Sequence, residues 1–334
     1  MDRRGFIRTL TGSILAAPLA AEAQQVAKVW RIGVLSDASP LSSDGRIQAV
    51  GFAGVFRNSL RDLGYVEGRN LAIEWRNPEG KSNRLDALAA ELVRLMVDVV
   101  VATYPAAVLS AKKATTMIPI VMVHTPDPVQ LGLVASLAHP GGNITGATSL
   151  SADLSAKHLE LLKELLPRVS RIAVLWNSDN PWHPVAMKGL ADSARSSGVQ
   201  LQKIQVRSPE VFGSAFSAMA KERAQAVLFL ADPLTFIHRA QLADLAVKQR
   251  IPSMGGPSEW TRAGCLMSYW ADTTDLYRRA ASYVDRIFKG AKPGELPIEQ
   301  PTKFELAINL KTAKALGLTI PPSLLQRADQ VIDP

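Results

Sequence analysis

The chain of 334 residues is 47% hydrophobic and 20% charged, a composition typical of a globular protein. Its formal net charge of +8 is scattered without a block of five or six like charges, so the charge does not predict a nucleic-acid partner. The only cysteine, Cys265, excludes a disulfide within the chain and a cluster of thiolate metal ligands. Cys265 lies in the apolar run "AGCLMSY" and is predicted to be a small core residue.

The first 23 residues have the layout of an export signal. A basic head with the pair Arg3 and Arg4 precedes an apolar run, residues 10–19, and an Ala-x-Ala end. The apolar run is too short to span a bilayer, which takes about 20 apolar residues. The arginine pair resembles a twin-arginine signal, and the general secretory route stays open. We predict cleavage after about Ala23 and a soluble periplasmic protein without a lipid anchor, because no cysteine directly follows the signal.

Along the remaining chain, about 310 residues, one unit recurs: a short β-branched run, a polar loop and an amphipathic helix. The predicted strands are residues 31–35, 71–75, 98–103, 119–125, 171–176, 201–206, 226–231 and 251–255. The predicted helices are residues 48–63, 84–95, 106–115, 156–166, 185–196, 237–248 and 274–288. Strands that alternate with helices indicate parallel sheets covered on both faces. This length and pattern predict an α/β fold of two doubly wound parallel-sheet lobes joined by a hinge.

Two stretches mark the places where the chain passes between the lobes. The turn-rich "HPGGNITGATSL" follows the first series of units, and "LMSYWADTTDL" follows the second. We therefore assign residues 26–147 and about 271–297 to lobe I. Lobe II takes residues 148–270 and about 298–334.

Polar residues follow nearly every predicted strand. Ligands of open parallel sheets bind outside the carboxyl ends of the strands, where loops and helix N-termini supply hydrogen-bond donors. The candidate ligand-binding residues at these ends are Ser36, Asp37, Thr103, Tyr104, Asp127, Asn177, Asp232, Ser258 and Glu259. The same residue types are ordinary N-caps of helices, so a capping role stays open for each.

Aromatic residues beside these strand ends point more strongly to a ligand. Tyr104 stands where a turn residue is usual, and "WNSDNPWHP" places Trp176 and Trp182 around one loop. A cleft lined by rings with a few polar groups is the usual small-molecule site. We predict that Tyr104 and Trp182 contact ligand and that Trp176, inside a strand, belongs to the core.

Motifs of catalysis are missing from the sequence. The five histidines show no metal-ligand spacing, and there is no Gly-x-Ser-x-Gly elbow, phosphate loop or dinucleotide fingerprint. We therefore predict a protein that is not an enzyme and that uses no cofactor and no metal.

Five long stretches of the chain follow a known pattern: residues 51–80, 84–123, 127–146 and 157–167, and most specifically the closing run, residues 266–332. Together they resemble the TrpX-like substrate-binding proteins of bacterial ABC transporters. This resemblance implies a periplasmic binding protein of the type I fold, with a small molecule held between two lobes. It also implies an ABC permease as partner, with a cytoplasmic ATPase, and no nucleic acid. A monomer is expected.

The resemblance places the family's binding turns on Ser36 and Asp37, on "TYPAA" with Thr103, Tyr104, Pro105 and Ala106, and on the Asp127–Pro128 turn. In lobe II it places them on Asn177, Asp232 and the loop "GGPSEW". Many relatives carry Gly-Thr-Pro where this chain has Thr-Tyr-Pro. Many also carry Tyr-Gly where it has Tyr269 and Trp270, which implies a pocket of changed size or with an added stacking surface.

The expected ligand is an amino acid or an aromatic or other carboxylate compound. Helix N-termini suit a carboxylate and rings suit a planar body. Asp232 or Asp127 would hold an α-ammonium, unless both are turn formers. A sensory module for a membrane receptor is the alternative function, and an exported enzyme is a third reading.

Overall fold

The β-branched runs of the first half form a parallel sheet of five strands. A computed structural model describes residues 28–36, 51–79, 81–149 and 151–333, with the side chains of 151–153 excepted. The predicted signal, residues 1–23, lies outside the described residues, as does Asp37. The strands of this first sheet are β1 (Trp30–Leu35), β2 (Leu71–Arg76), β3 (Val99–Thr103), β4 (Ile120–Thr125) and β5 (Ile144–Thr148). They are ordered β2-β1-β3-β4-β5 and all run parallel.

Helices cover both faces of the first sheet. Alternate side chains of a strand point to opposite faces, and along β3 Val99 and Val101 join one core cluster while Val100 and Ala102 join the other. The four helices that cover this sheet are α1 (Phe52–Asp62), α2 (Leu85–Arg94), α3 (Tyr104–Ala114) and α10 (Thr273–Phe288). Helices α1 and α10 pack on one face, and α2 and α3 on the other.

The second half forms a sheet of seven strands. They are β6 (Arg171–Asn177), β7 (Gln200–Val206), β8 (Ala226–Phe229), β9 (Ser253–Gly255), β10 (Met267–Ala271), β11 (Phe304–Asn309) and β12 (Gln330–Ile332). Their order is β12-β11-β10-β9-β8-β6-β7. The pairing of β10 with β11 is antiparallel and the other pairs are parallel. The predicted α/β fold of two doubly wound parallel-sheet lobes is confirmed, with the exception that β11 runs antiparallel to β10.

The remaining helices lie on the two faces of this second sheet. They are α4 (Ser151–Leu165), α5 (His183–Ser196), α6 (Phe212–Lys221), α7 (Pro233–Ile237), α8 (Arg239–Lys248), α9 (Glu259–Arg262), α11 (Leu310–Leu316) and α12 (Pro322–Arg327). The helix predicted for residues 237–248 corresponds to α8, which begins two residues later at Arg239; Ile237 is the last residue of the short helix α7, and His238 separates the two helices. No helix in the described part of the chain has both the length and the apolar character needed to cross a bilayer.

Three chain segments connect the two sheets and lie side by side. One leaves β5 for α4, the second joins β10 to α10, and the third returns from α10 to β11. The Glu299 N–H donates to the Gly146 carbonyl (3.1 Å), and the Thr148 N–H donates to the Glu299 carbonyl (2.9 Å). The Asp272 N–H donates to the Lys303 carbonyl (3.0 Å). These bonds tie the three segments into one connection. The residue limits of the two lobes given above stay a prediction.

Candidate functional site

Residues that follow strands of both sheets line one cavity of about 200 Å³. Ser36 and Thr103 come from the ends of β1 and β3, and Pro233 and Glu259 begin α7 and α9 after β8 and β9. The carboxyl ends of the strands of both sheets therefore face this space, as expected for ligand sites of open α/β sheets.

Five aromatic rings line this space, and we name it the ring cavity. Its rings are Phe52, Tyr104, His124, Phe236 and Tyr277. Tyr104 stacks on His124 with centroids 5.4 Å apart and an interplanar angle of 15°. Tyr277 meets His124 edge-on at 5.3 Å and Phe52 at 5.1 Å. Four of the rings thus form one continuous surface suited to a planar apolar group.

Tyr104 has a backbone conformation that bulky residues rarely adopt. It is the first residue of α3 and has a φ of 66°, in the left-handed region. This region costs an L-residue with a side chain about 1–2 kcal/mol. Such strained residues cluster at binding sites, where the surrounding structure holds them. The ring of Tyr104 lies in the walls of the ring cavity and of three neighbouring cavities.

Two polar side chains of the ring cavity, His124 and Tyr277, carry no charge at neutral pH. Burial lowers the pKa of His124 to about 4, so its imidazole is neutral. Burial, together with the nearby Tyr104 and Glu259, raises the pKa of Tyr277 well above its usual value, so its phenol keeps its proton. His124 Nε2 and the Tyr277 hydroxyl lie 3.1 Å apart and share a hydrogen bond.

Lowering the pH from 6.5 to 4 is expected to destabilise the fold through His124 and His158. Burial lowers the pKa of each to about 4, whereas a histidine of the unfolded chain binds a proton near pH 6.5. The unfolded state binds more protons than the folded state in this interval, so the free energy of unfolding decreases as the pH is lowered. Above pH 6.5 this contribution to stability is fully present. The loss at pH 4 is on the order of 3 kcal/mol for each histidine, measurable by urea unfolding in steps of pH.

His139 offers the matched control, because it is an exposed histidine. His158→Gln should reduce the dependence of the free energy of unfolding on pH, and His139→Gln should leave it unchanged. Equal pH dependence in the two variants would contradict this assignment.

Two hydroxyls meet at the floor of the ring cavity. The Thr103 hydroxyl donates to the Ser36 hydroxyl oxygen (2.9 Å), and both side chains are buried. They stand at the ends of the neighbouring strands β1 and β3. This pair offers a polar contact point on the side of the first sheet.

The second sheet contributes charged groups to the same cavity. The Arg239 guanidinium lies over the Phe236 ring at 4.5 Å, and its Nη1 donates to the Phe236 carbonyl (2.8 Å). Glu259 Oε2 and Arg239 Nε are buried and have no hydrogen-bond partner among the described residues. Arg262, at the rim, is exposed and donates to Gln330 Oε1 (2.8 Å). The cavity thus combines rings with a carboxylate and a guanidinium.

A second cavity of about 390 Å³ lies on another side of Tyr104, and we name it the polar cavity. Lys81, Asn177, Asn180, Arg207 and Asp232 belong to its wall. The side-chain amides of Asn177 and Asn180 donate to the Asp232 carboxylate at 3.2 and 2.9 Å. The Leu234 N–H also donates to Asp232, which caps α7 (2.8 Å). Asp232 therefore holds together the loops that follow β6 and β8.

Asp232→Asn is expected to lower the free energy of unfolding by about 1–2 kcal/mol. The new amide presents N–H groups to one of the two asparagine donors, so at least one charge-assisted hydrogen bond is lost from a buried network. The N-cap bond to Leu234 survives, because an asparagine oxygen also accepts it. Urea unfolding of the unliganded protein measures the change. Asp192→Asn is the control, because Asp192 is exposed on α5 and only pairs with Arg195. Equal stability of the two variants would contradict the network role.

Comparison with known proteins identifies the family of this chain. A family model for the ABC transporter substrate binding protein matches residues 34–332, most of the chain. The chain belongs to this family. Membership of a substrate-binding family implies a small-molecule ligand and an ABC permease partner, and the expected resemblance is thereby confirmed.

Three relatives of this binding protein are informative. A conserved domain protein from Vibrio cholerae is 28% identical, with a TM-score of 0.82, over 91% of this chain and 100% of that one. An ABC domain from Streptococcus pneumonia in complex with L-Trp is 26% identical, with a TM-score of 0.79, over 91% and 99%. The tyrosine-binding protein of Clostridioides difficile is 27% identical over 264 residues, 79% of this chain and 75% of that protein.

Most of the predicted site residues of the binding protein lie around Tyr104. Those that line the ring cavity, the polar cavity or two small cavities of about 20 Å³ are Ser36, Thr103, Tyr104, Pro105, Ala106, Asn177, Trp182, Asp232 and Glu259. Trp182 is only 4% exposed and packs mainly in the core beside β6. The partly buried Trp176 also packs against that cluster.

Three predicted residues do not line any of these cavities. Asp127 Oδ1 accepts from the Val129 and Gln130 N–H groups, as in an ordinary capped turn. Ser258 precedes α9 without a capping bond from its side chain. Tyr269 stacks on Phe304 at 5.8 Å inside the second sheet. A binding role for these three stays a prediction.

The sequence did not predict nine residues of the ring cavity, and five of them supply rings or a partly buried guanidinium. These five are Phe52, His124, Phe236, Arg239 and Tyr277. His124 is the last residue but one both of the predicted strand at residues 119–125 and of β4, and its nearness to a strand end was the available signal. The other four lie in helices, where a ring or an arginine at the first turn looks like any amphipathic position.

Proposed function

We propose that this binding protein captures an amino acid with an aromatic side chain in the ring cavity and delivers it to an ABC permease for import. The observation that carries the proposal is the wall of five rings between the carboxyl ends of two sheets. Such a wall gains free energy from a planar apolar group, about 1.5–3 kcal/mol for a fully buried ring.

Two relatives support the ligand class. The Streptococcus protein was crystallised with L-Trp and the Clostridioides relative is a tyrosine-binding protein. Both ligands join an aromatic ring to an ammonium and a carboxylate. The ring cavity of this chain offers rings, a guanidinium and a carboxylate in one space, which fits all three parts of such a molecule.

Hinge closure is the mechanism that we infer. Each sheet supplies part of the ring cavity, so a ligand that contacts both sides favours the state in which the lobes are closed. The three hydrogen-bonded connecting segments are the hinge. The protein acts in the periplasm as a monomer after removal of residues 1–23, catalyses no reaction on its ligand, and meets a permease driven by a cytoplasmic ATPase.

A thermal-shift screen tests this function. The protein, refolded to remove any carried-over ligand, is heated with L-tryptophan, L-tyrosine, L-phenylalanine, L-leucine or benzoate. A ligand at 100 times its Kd stabilises the folded state by about 2.7 kcal/mol, which raises Tm by several degrees. The aromatic amino acids should raise Tm, and X-ray scattering should show a smaller radius with the best of them. No shift with any aromatic amino acid would refute the proposed ligand class.

A further inference from the structure

Two charged side chains of the ring cavity have buried atoms that nothing in the described chain satisfies. They are Arg239, at the start of α8, and Glu259, at the start of α9. No ion pair joins either of them to another described residue. A charge that is withdrawn from water without a partner is costly. These two side chains can therefore pair with a ligand that carries both a negative and a positive charge.

Arg239 is held in place but is not neutralised. Its guanidinium lies on the Phe236 ring, and its Nη1 bond goes to a carbonyl, which leaves the positive charge unpaired. Its buried Nε finds no acceptor in the described part of the chain. A guanidinium binds a carboxylate through parallel N–H bonds. Arg262 is less suited, because it is exposed and already donates to Gln330.

Glu259 is the counterpart for a positive group. Its neighbour Trp260 is fully buried and stacks on Phe229 at 4.7 Å, which anchors the backbone of α9. The buried Oε2 of Glu259 accepts no hydrogen bond from the described residues. Asp232, the acid that the sequence suggested for an ammonium, already accepts three N–H bonds from Asn177, Asn180 and Leu234. Glu259 is therefore the better acceptor.

The geometry points to Arg239 as the group that binds the ligand's α-carboxylate and to Glu259 as the group that binds its α-ammonium. This inference rests on the proposed function and names the residues that bind the ammonium and the carboxylate of the amino acid. Both charges come from the second sheet, whereas Phe52, Tyr104, His124 and Tyr277 come from the first. A zwitterion with a ring therefore bridges the two sheets, and a compound that lacks one of the two charges loses one of its two charged contacts with the second sheet.

A comparison of ligands and variants tests the assignment. L-tryptophan and L-tyrosine are each titrated together with the deaminated acid and the decarboxylated amine of the same side chain. A charge-assisted hydrogen bond changes affinity by about tenfold or more, so the wild type should bind each analogue at least tenfold more weakly. Glu259→Gln should weaken binding of the amino acid by about tenfold and binding of the deaminated acid by less than threefold. Arg239→Met should weaken binding of the amino acid by a similar factor and leave binding of the amine nearly unchanged.

Lys248→Met on α8 and Glu222→Gln after α6 are matched controls, because both charged side chains are exposed and outside the cavities described. They should leave all affinities unchanged. Glu259→Gln should not lower the unliganded Tm, because its removed charge has no partner to lose. If the wild type binds an amino acid but each variant lowers the affinity for all three compounds by the same factor, the assigned roles are wrong although the proposed function stands. If the wild type binds neither amino acid, the proposed function itself fails.

Discussion

Replacing Gly146 with alanine is expected to lower the free energy of unfolding by about 3 kcal/mol. Gly146 lies in the middle of β5 with a φ of 134°, and a Cβ atom there would overlap the Met122 carbonyl oxygen and lie 2.8 Å from the Met122 N. Backbone atoms of the paired strand β4 cannot move aside as a flexible side chain does, so the strands must separate or shift. Urea unfolding of the unliganded protein at neutral pH measures the loss.

Replacing Gly189 with alanine is expected to change the free energy of unfolding in the opposite direction. Gly189 is an exposed glycine inside α5, and a Cβ built there meets no atom within 4 Å. Gly189→Ala should raise the free energy of unfolding by about 0.5–1 kcal/mol, because alanine favours the helix. A loss below about 1 kcal/mol for Gly146→Ala would show that β4 and β5 accommodate the methyl group, against the close packing described.

The position of Gly146 also concerns the hinge. Its carbonyl accepts the N–H of Glu299 from the third connecting segment. A shift of β5 therefore moves two of the three connections between the sheets. We expect Gly146→Ala to reduce ligand-induced compaction as well as stability.

The clearest of the strands that local patterns predicted are those with β-branched residues on both faces. β3 and β4 alternate between two buried clusters, so their apolar runs are continuous and easy to recognise. β5 lies in the turn-rich stretch "HPGGNITGATSL", and the turn residues Gly142, Asn143 and Gly146 of that stretch conceal its strand pattern. Its strand character depends on long-range bonds, such as that from the Thr145 hydroxyl to the Leu296 carbonyl (2.9 Å). No local pattern contains such a bond.

β10, β11 and β12 were also absent from the prediction. β11 returns from α10 across the connection and pairs antiparallel with β10, which the repeated strand–helix unit does not anticipate. The unit predicts parallel neighbours because each helix carries the chain back to the same edge. A strand reached through a connecting segment has no such constraint, so its direction is decided by tertiary packing.

The candidate site was predictable to the extent that it follows strand ends. Ser36, Thr103 and Asn177 were found because a strand's carboxyl end is visible in the sequence. Tyr277 was not found, because its contact with His124 joins positions 153 residues apart. The choice between cap and ligand contact at Asp232 likewise required its three donors to be seen.

Tyr104→Ala is expected to weaken binding of the aromatic amino acid by about tenfold or more. The ring stacks on His124 and forms part of the ring cavity, so its removal takes away stacking surface and enlarges the space around the ligand. The unliganded Tm should change little, because the ring is only half-buried. Isothermal titration of the wild type and the variant measures the change. Leu109→Ala on the same helix, whose partly buried side chain packs away from the cavity, is the control and should keep the wild-type affinity.

Tyr104→Gly separates the ring from its backbone strain. At a φ of 66° glycine avoids the penalty that alanine and tyrosine both carry, so the glycine variant should be about 1 kcal/mol more stable than the alanine variant without ligand. Both should bind the amino acid equally weakly. Alanine and glycine variants of equal stability would show that the left-handed conformation costs nothing here. If the glycine variant is the more stable of the two, the contacts of the tyrosine ring offset the backbone strain in the wild type. Unchanged affinity in both variants would show that these contacts do not include the ligand.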